Sequence, residues 1–233
     1  MNHSNIPQHI GIILDGNRRF AKRLMLEPWR GHEHGAGKVG EILKVAKELG
    51  IKELTFYALS VENLNRDKKE LDFLLNIFRK EFKNLSNEEV HKNKIKIRFI
   101  GRLDLLPSDL AEQCLKLQEE TAKYKDYIVN FAVAYGGRQE IVDAVKKILS
   151  GLSAKKISSE DIDEELISKN LYMSDNPDMI IRTGGEKRTS NFLPWQSAYS
   201  ELIFLDKMWP EFTVDDLKAC IKEYAARERR FGK

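Results

Sequence analysis

The chain has 233 residues, 42% hydrophobic and 32% charged, with 39 Lys+Arg against 36 Asp+Glu and a formal net charge of +3. That length suits one large domain, 1–233, better than two, the apolar share excludes an intrinsically disordered or collagen-like chain, and the small net charge gives no ground for a nucleic-acid partner. Cys114 and Cys220 fit no zinc or Cys-x-x-Cys spacing, no apolar run approaches the ~20 residues that span a bilayer, and Met1 to Asn5 do not open a signal peptide, so a cytoplasmic location is expected.

His9 to Leu14 is an apolar run that reads as a strand buried on both faces, and it stops at Asp15-Gly16-Asn17. Residues from 33 to 50 read as a helix closed by Gly50, and Leu54 to Leu59 as the next strand. Leu71, Leu74, Leu75, Phe78 and Phe82 recur at helical spacing, a stripe that serves a core or walls an apolar channel. Ile95–Ile100 reads as a strand, Ser108 to about Tyr124 as a helix, Ile128–Val133 as a strand ending at Tyr135-Gly136-Gly137, and the residues to about Leu149 as a helix. After a polar surface connection, Ser150 to Glu165, come strands at Met179–Ile181 and Leu202–Leu205 and a last helix over 213–230. Six short strands separated mostly by helices predict an α/β fold, a single domain with a mainly parallel six-stranded sheet flanked by helices.

In such sheets ligands bind beyond the carboxyl ends of the strands, where this sequence places Asp15 to Arg19, Ser60 to Arg66, Tyr135 to Arg138 and Arg182 to Asn191. Asp15 alone could be no more than a helix cap. It shares the strand ends with Arg18, Arg19, His32, Arg66, Arg182, Lys187 and Arg188, and with Gly16, Gly31, Gly184 and Gly185. Arginine forks beside bare backbone amides suit a diphosphate, and a carboxylate at the same mouth suits Mg²⁺ held between protein and phosphate oxygens. Gly35-Ala36-Gly37-Lys38-Val39-Gly40 matches the dinucleotide pattern, but the Glu27 to His34 segment before it makes no buried strand, so helix packing is the better reading and a nicotinamide oxidoreductase the alternative.

Several segments resemble the cis-prenyltransferase family in family order: His9 to Asn17, Gly31-His32-x-x-Gly35, Tyr57 to Arg66, Ile180 to Glu186, Ser190 to Gln196, Tyr199-x-Glu201-Leu202 and Arg229-Arg230-Phe231-Gly232. Size and motifs most resemble the undecaprenyl diphosphate synthases of bacteria. The resemblance implies sequential addition of isopentenyl diphosphate to an allylic diphosphate such as farnesyl diphosphate, each new double bond being cis, to give the precursor of a cell-wall lipid carrier. It implies an apolar channel, Mg²⁺, a homodimer, and transient contact with a membrane surface for product release. By position, Asp15 would hold Mg²⁺ with Glu201. Gly16, Asn17, Arg18, Arg19, Phe20 and His32 would line the allylic site, with Ser60, Val61, Glu62, Asn63, Leu64 and Arg66 on a second substrate loop. Arg182, Arg188, Thr189 and Ser190 would clamp isopentenyl diphosphate. The family assigns proton removal to the position of Asn63; a neutral amide is a poor base, so Asn63 is read as an orienting group and released diphosphate as the proton acceptor. Arg230-x-Gly232 resembles a motif that reaches an active site across a dimer interface.

The chain departs from the family at Arg18 (usually Gly), Phe20 and Leu64 (Trp), Pro28 (Arg, with Arg30 as a substitute) and Ala134 (Asn). Paired Asp-Asp-x-x-Asp motifs of trans-type synthases are missing, since Asp215-Asp216 is followed by Leu217-Lys218-Ala219. A non-catalytic accessory subunit is the other alternative, and retention of Asp15, Arg182, Arg188 and Glu201 argues against it.

Overall fold

A computed structural model describes residues 6–85, 88–154 and 157–227. Its strands are β1 (His9–Ile13), β2 (Glu53–Tyr57), β3 (Ile95–Ile100), β4 (Tyr127–Ala132), β5 (Met179–Arg182) and β6 (Glu201–Phe204). They form one sheet in the order β3-β4-β2-β1-β5-β6, and every pairing is parallel. The expected α/β architecture with a six-stranded parallel sheet is therefore the one observed. Strand ends differ from the sequence reading by one to a few residues, because apolar side chains continue past the last ladder hydrogen bond at Leu14, Ala58 and Leu59.

The main helices are α1 (Asn17–Arg23), α2 (Gly31–Glu48), α3 (Lys68–Leu85), α4 (Glu88–Lys92), α5 (Ser108–Thr121), α6 (Gly137–Ser153), α7 (Glu164–Asn170) and α8 (Val214–Ala226). The larger core joins Ile10, Ile12, Leu54, Phe56 and Phe131 of the sheet to Ile42 of α2, Leu74 and Phe78 of α3, Leu110 of α5 and Leu217 of α8. The opposite face carries a smaller cluster around Ile13, Tyr57, Tyr135, Ile180 and Phe192, which Glu140 of α6 reaches through the Tyr135 hydroxyl at 2.5 Å. Both cysteines are buried and unpaired, as their spacing predicts. Among the described residues no helix is long and apolar enough to cross a membrane.

Gly35 to Gly40 lies inside α2, which follows a short helical turn at Pro28–Arg30 rather than a strand. The dinucleotide pattern therefore lacks its structural context, and the nicotinamide alternative falls. The Arg230-x-Gly232 motif lies outside the described residues.

Candidate active site

β1 and β5 are neighbours, with Ile13 opposite Arg182. From β1 the chain continues to β2 on one side, whereas β5 and β6 extend the sheet on the other. The segments leaving β1 and β5 stay together past the paired residues, Thr183 Oγ1 accepting from the Asp15 amide at 3.1 Å and lying 2.8 Å from the Asp15 carbonyl oxygen, at the carboxyl ends of the strands where ligands bind in open parallel sheets. Asp15 sits at that edge. Asp15 Oδ1 accepts from the Gly16 amide at 2.6 Å and from Arg19 Nη2 at 3.2 Å, and Oδ2 from Arg182 Nη2 at 2.8 Å. Burial pushes this carboxyl up, but the hydrogen bonds from Arg182 and Gly16 and the charges of Arg182 and Arg19 outweigh it and hold the group below its ordinary value. Asp15 is thus a carboxylate in neutral solution.

Two glycines make this close approach possible. Gly16 has φ 102°, a left-handed conformation in which a Cβ would lie 2.8 Å from Met208 Cβ, and Gly184, with φ 88°, would place one 2.7 Å from Arg19 Nη2.

Two recesses meet at Asp15. The first is polar, of about 340 Å³, lined by Gly16, Asn17, Arg18, Arg19, His32 and Arg66 together with Lys22. Asp15 is the one acid in this lining, so the recess is cationic. The His32 imidazole is held down to about 4 by burial and by the charges of Arg66 and Arg18, leaving it neutral, and its Nε2 has no partner. Arg66 is held by Glu70 at 2.8 Å, a buried carboxylate that also faces Arg18 at 3.6 Å.

The second recess is a cavity of about 830 Å³ running from Asp15, Ser60, Asn63, Arg182, Arg188 and Ser190 between α2 and α3. Leu74, Phe78 and Phe82 line it while also packing in the core, so the helical stripe serves both uses the sequence allowed. Arg182, 4% exposed, donates through Nη1 to Ser190 Oγ at 2.8 Å and to the Arg188 carbonyl. That loop is tied to the helix after β4 by the Gly137 amide, which donates to the Asn191 carbonyl at 2.8 Å, and to the Ser60 loop by Asn191 Nδ2, 3.2 Å from Glu62 Oε1. The arrangement joins an anion-binding rim to an apolar cavity.

Matches to known proteins agree with that geometry. Residues 13–232 match the family model described as "Putative undecaprenyl diphosphate synthase". The chain belongs to the cis-prenyltransferase family. It is 50% identical over 231 residues to the tritrans,polycis-undecaprenyl-diphosphate synthase (geranylgeranyl-diphosphate specific) of Methanopyrus kandleri, covering 98% of this chain and 85% of the relative. It is 47% identical to the protein of the same name from Methanocaldococcus jannaschii, covering 98% and 84%. Among solved structures, the lavandulyl diphosphate synthase of Lavandula x intermedia in complex with dimethylallyl diphosphate superposes with a TM-score of 0.92 at 35% identity, covering 99% of this chain and 100% of that one. As a cis-prenyltransferase the chain is a transferase that elongates prenyl diphosphates in cis.

Several expected site residues stand elsewhere. Glu201 opens β6 opposite Met179, which is opposite Ile10. Asp15 lies five residues beyond Ile10, roughly 16 Å along the strand direction, and Glu201 Oε2 instead accepts from Arg227 Nη1 at 2.6 Å. The two carboxylates therefore do not meet within one chain. Among the described residues, no group of three or more His, Cys, Asp or Glu gathers as a metal cage. Phe20 turns from the recess to His34, with ring centroids 5.4 Å apart. Leu64 packs on the larger core. Val61 contributes its amide, which donates to the Tyr135 carbonyl at 2.9 Å, and Thr189 its carbonyl, which accepts from Phe192 N; neither side chain lines a recess. Arg30 is exposed and lines neither recess, so it does not replace the arginine usual at Pro28.

Sequence reasoning missed Lys22, Tyr57, Glu70 and Trp209. Glu70 carried a signal, four residues after Arg66 on a helix start. Trp209 carried none: it reaches the site through a long-range hydrogen bond from its Nε1 to the Gly35 carbonyl at 2.8 Å.

Proposed function

We propose that this cis-prenyltransferase extends geranylgeranyl diphosphate by repeated cis addition of isopentenyl diphosphate, giving undecaprenyl diphosphate. The names of the Methanopyrus and Methanocaldococcus relatives, at 50% and 47% identity, favour this starter over the farnesyl diphosphate expected from the motifs. The observation that carries the chemistry is the anion-binding rim of Asp15, Arg182 and Ser190 opening directly onto the apolar cavity.

The cationic recess of Arg18, Arg19, Lys22, Arg66 and His32 takes the allylic diphosphate, and Arg182, Arg188 and Ser190 take that of isopentenyl diphosphate. Breaking the allylic carbon–oxygen bond transfers an electron pair to the departing diphosphate. The arginines around it therefore stabilise the transition state more than the ground state. The new carbon–carbon bond forms from the double bond of isopentenyl diphosphate, which then loses a proton to the released diphosphate. Asn63 orients that substrate, and the apolar wall keeps water from the allylic cation. A single ionised carboxylate suits Mg²⁺, which takes one or two protein carboxylates and fills its remaining positions with phosphate oxygens and water. Asp15 would hold it, and the ion would supply charge neutralisation at the leaving diphosphate. We extend the proposal to a homodimer and to brief contact with a membrane surface when the product leaves.

The test is an incubation of the purified chain with Mg²⁺, labelled isopentenyl diphosphate and either geranylgeranyl or farnesyl diphosphate, followed by sizing of the extracted lipids. Extension from the geranylgeranyl starter at the higher kcat/KM is expected. A preference for farnesyl diphosphate would overturn the starter, and no label in lipid from either would overturn the proposal.

A further inference from the structure

The turn that ends α1 breaks two local preferences at one residue. The Leu26 amide donates to the Ala21 carbonyl at 2.9 Å and the Met25 amide to the Lys22 carbonyl at 3.0 Å. These two bonds close the helix with Met25 in the left-handed conformation, at φ 57°. Helices that stop this way usually place glycine there, because a side chain crowds the backbone. Met25 is also 96% exposed, and Leu24 beside it 47%. A strained backbone therefore holds an apolar side chain out in water, where nothing of its own chain covers it. Departures of this kind, local strain together with a bare apolar group, mark surfaces kept for a use other than folding.

The residues around the tip define what it can meet. Between positions 18 and 30 stand Arg18, Arg19, Lys22, Arg23 and Arg30 against Glu27 alone, five cations to one acid in a chain whose whole surplus is three. Arg19 and Arg23 are held by Asp15 and Glu211. Lys22 and Arg30 are exposed, and among the described residues neither pairs with a carboxylate. Trp29, half-buried, precedes Arg30. The surface of an anionic bilayer suits this set: acyl chains receive apolar side chains, lipid phosphates receive Lys and Arg, and Trp settles at headgroup level. A second copy of the chain suits it less, since the same cations would face each other across the contact.

We propose that the tip of Leu24 and Met25 enters the surface of an anionic lipid bilayer, with Lys22 and Arg30 on the phosphates beside it. The inference names the surface for the membrane contact proposed above, and its purpose rests on the chain elongation proposed there. Lys22 lines the polar recess at Asp15 and precedes Met25 by three residues, about 5 Å along the helix. Docking by the tip brings that recess to the headgroup layer. An amphiphile with a diphosphate head and a hydrocarbon tail then passes between protein and bilayer without crossing water.

The experiment measures cosedimentation of the full chain with vesicles of phosphatidylcholine, with or without phosphatidylglycerol, in the absence of substrate. The unaltered chain should bind the anionic vesicles, and less so as NaCl rises from about 0.1 M to about 1 M and the screening length shortens from about 10 Å to about 3 Å. Met25→Gly should bind about tenfold more weakly while melting no lower, since glycine relieves the left-handed position. Met25→Leu should bind as the unaltered chain does, and Arg30→Gln about fivefold more weakly. Leu115→Ser, at a leucine of α5 that is 54% exposed, should leave binding unaltered. Equal binding by Met25→Gly and the unaltered chain would overturn the surface, as would an equal loss in Leu115→Ser or no binding by the unaltered chain. A changed oligomeric state in Met25→Gly with vesicle binding intact would give the tip to a protein contact and overturn it too. A chain that binds through Met25 yet adds no isopentenyl diphosphate would overturn the proposed function and keep the surface, whereas one that elongates without binding would overturn the surface alone.

Discussion

Arg182 Nη2 donates to Asp15 Oδ2 at 2.8 Å across the seam between β1 and β5. The arginine side chain is 5% exposed and the carboxylate 30%, so the pair sits at the edge of solvent with its cation inside. Such a cation needs its acid, and a substrate or metal ion arriving at the rim meets a carboxylate already ionised and oriented. Asp15→Asn keeps the volume and removes the charge. We expect turnover to fall by about 10²–10³ and stability by about 1–3 kcal/mol, measured by product formation and urea unfolding. Turnover within tenfold of the unaltered chain would mean that the Asp15 charge has no part in the reaction.

At the other end of the sheet, His9 is 5% exposed with Nε2 2.7 Å from Thr55 Oγ1. Burial holds its imidazole down to about 4, against the charges of Asp175 and Asp178 and assisted by Arg98. The unfolded chain therefore binds a proton near pH 6.5 that the folded chain refuses until about pH 4, and stability falls as the pH drops through that interval. By pH 5 the loss from His9 is about 2 kcal/mol. Glu53, 4.0 Å away, works in the opposite sense, because burial raises its pKa and protonation then favours the fold. His9→Gln isolates the histidine: its urea midpoint should change less between pH 7 and pH 5 than that of the unaltered chain. Parallel curves for the two would remove His9 as the source.

The contact between α1 and α2 is set at Gly31, where a Cβ would lie 1.9 Å from the Asn17 carbonyl oxygen and 2.6 Å from its carbon. Backbone cannot swing aside as a side-chain tip can. Gly31→Ala should destabilise by about 1–3 kcal/mol despite the better helix propensity of alanine. Because Asn17 lines both recesses, the KM for the allylic diphosphate should rise as well. A more stable Gly31→Ala protein would show that the two helices separate freely.

Much of this site was legible because its chemistry is local to strand ends. Asp15, Arg182 and the loop at Ser60 each follow a recognisable apolar run, and a parallel sheet gathers the carboxyl ends of its strands at one edge. Glu201 shows where that logic stops: it opens its strand rather than following it, so the register of β6 carries it to the far end of the sheet. Phe20 stands outside the recess linings for a different reason, since the direction of a side chain on the short α1 depends on its packing against His34 and Arg23. The roles of Gly31 and Gly35 depend on Asn17 and Trp209, residues too distant in sequence for spacing to relate them.

Tyr57 ends β2 with its hydroxyl 3.3 Å from both the Tyr135 and the Ser190 carbonyl oxygens. Tyr135 O also accepts from the Val61 amide, which anchors the loop bearing Glu62, Asn63 and Arg66, while Ser190 belongs to the loop that Arg182 grips. One hydroxyl therefore spans both substrate loops, and the ring is fixed by stacking on Phe192 at 4.7 Å between centroids. Tyr57→Phe keeps the stack and removes the bridge. A neutral hydrogen bond is worth about 1 kcal/mol, so the KM for isopentenyl diphosphate should rise by about fivefold. The KM for the allylic starter, which we propose binds in the recess on the far side of Asp15, should stay within twofold, with Tm changing by no more than about 2–4 °C. Steady-state kinetics with each substrate varied in turn separates this from general loosening, which would raise both KM values together.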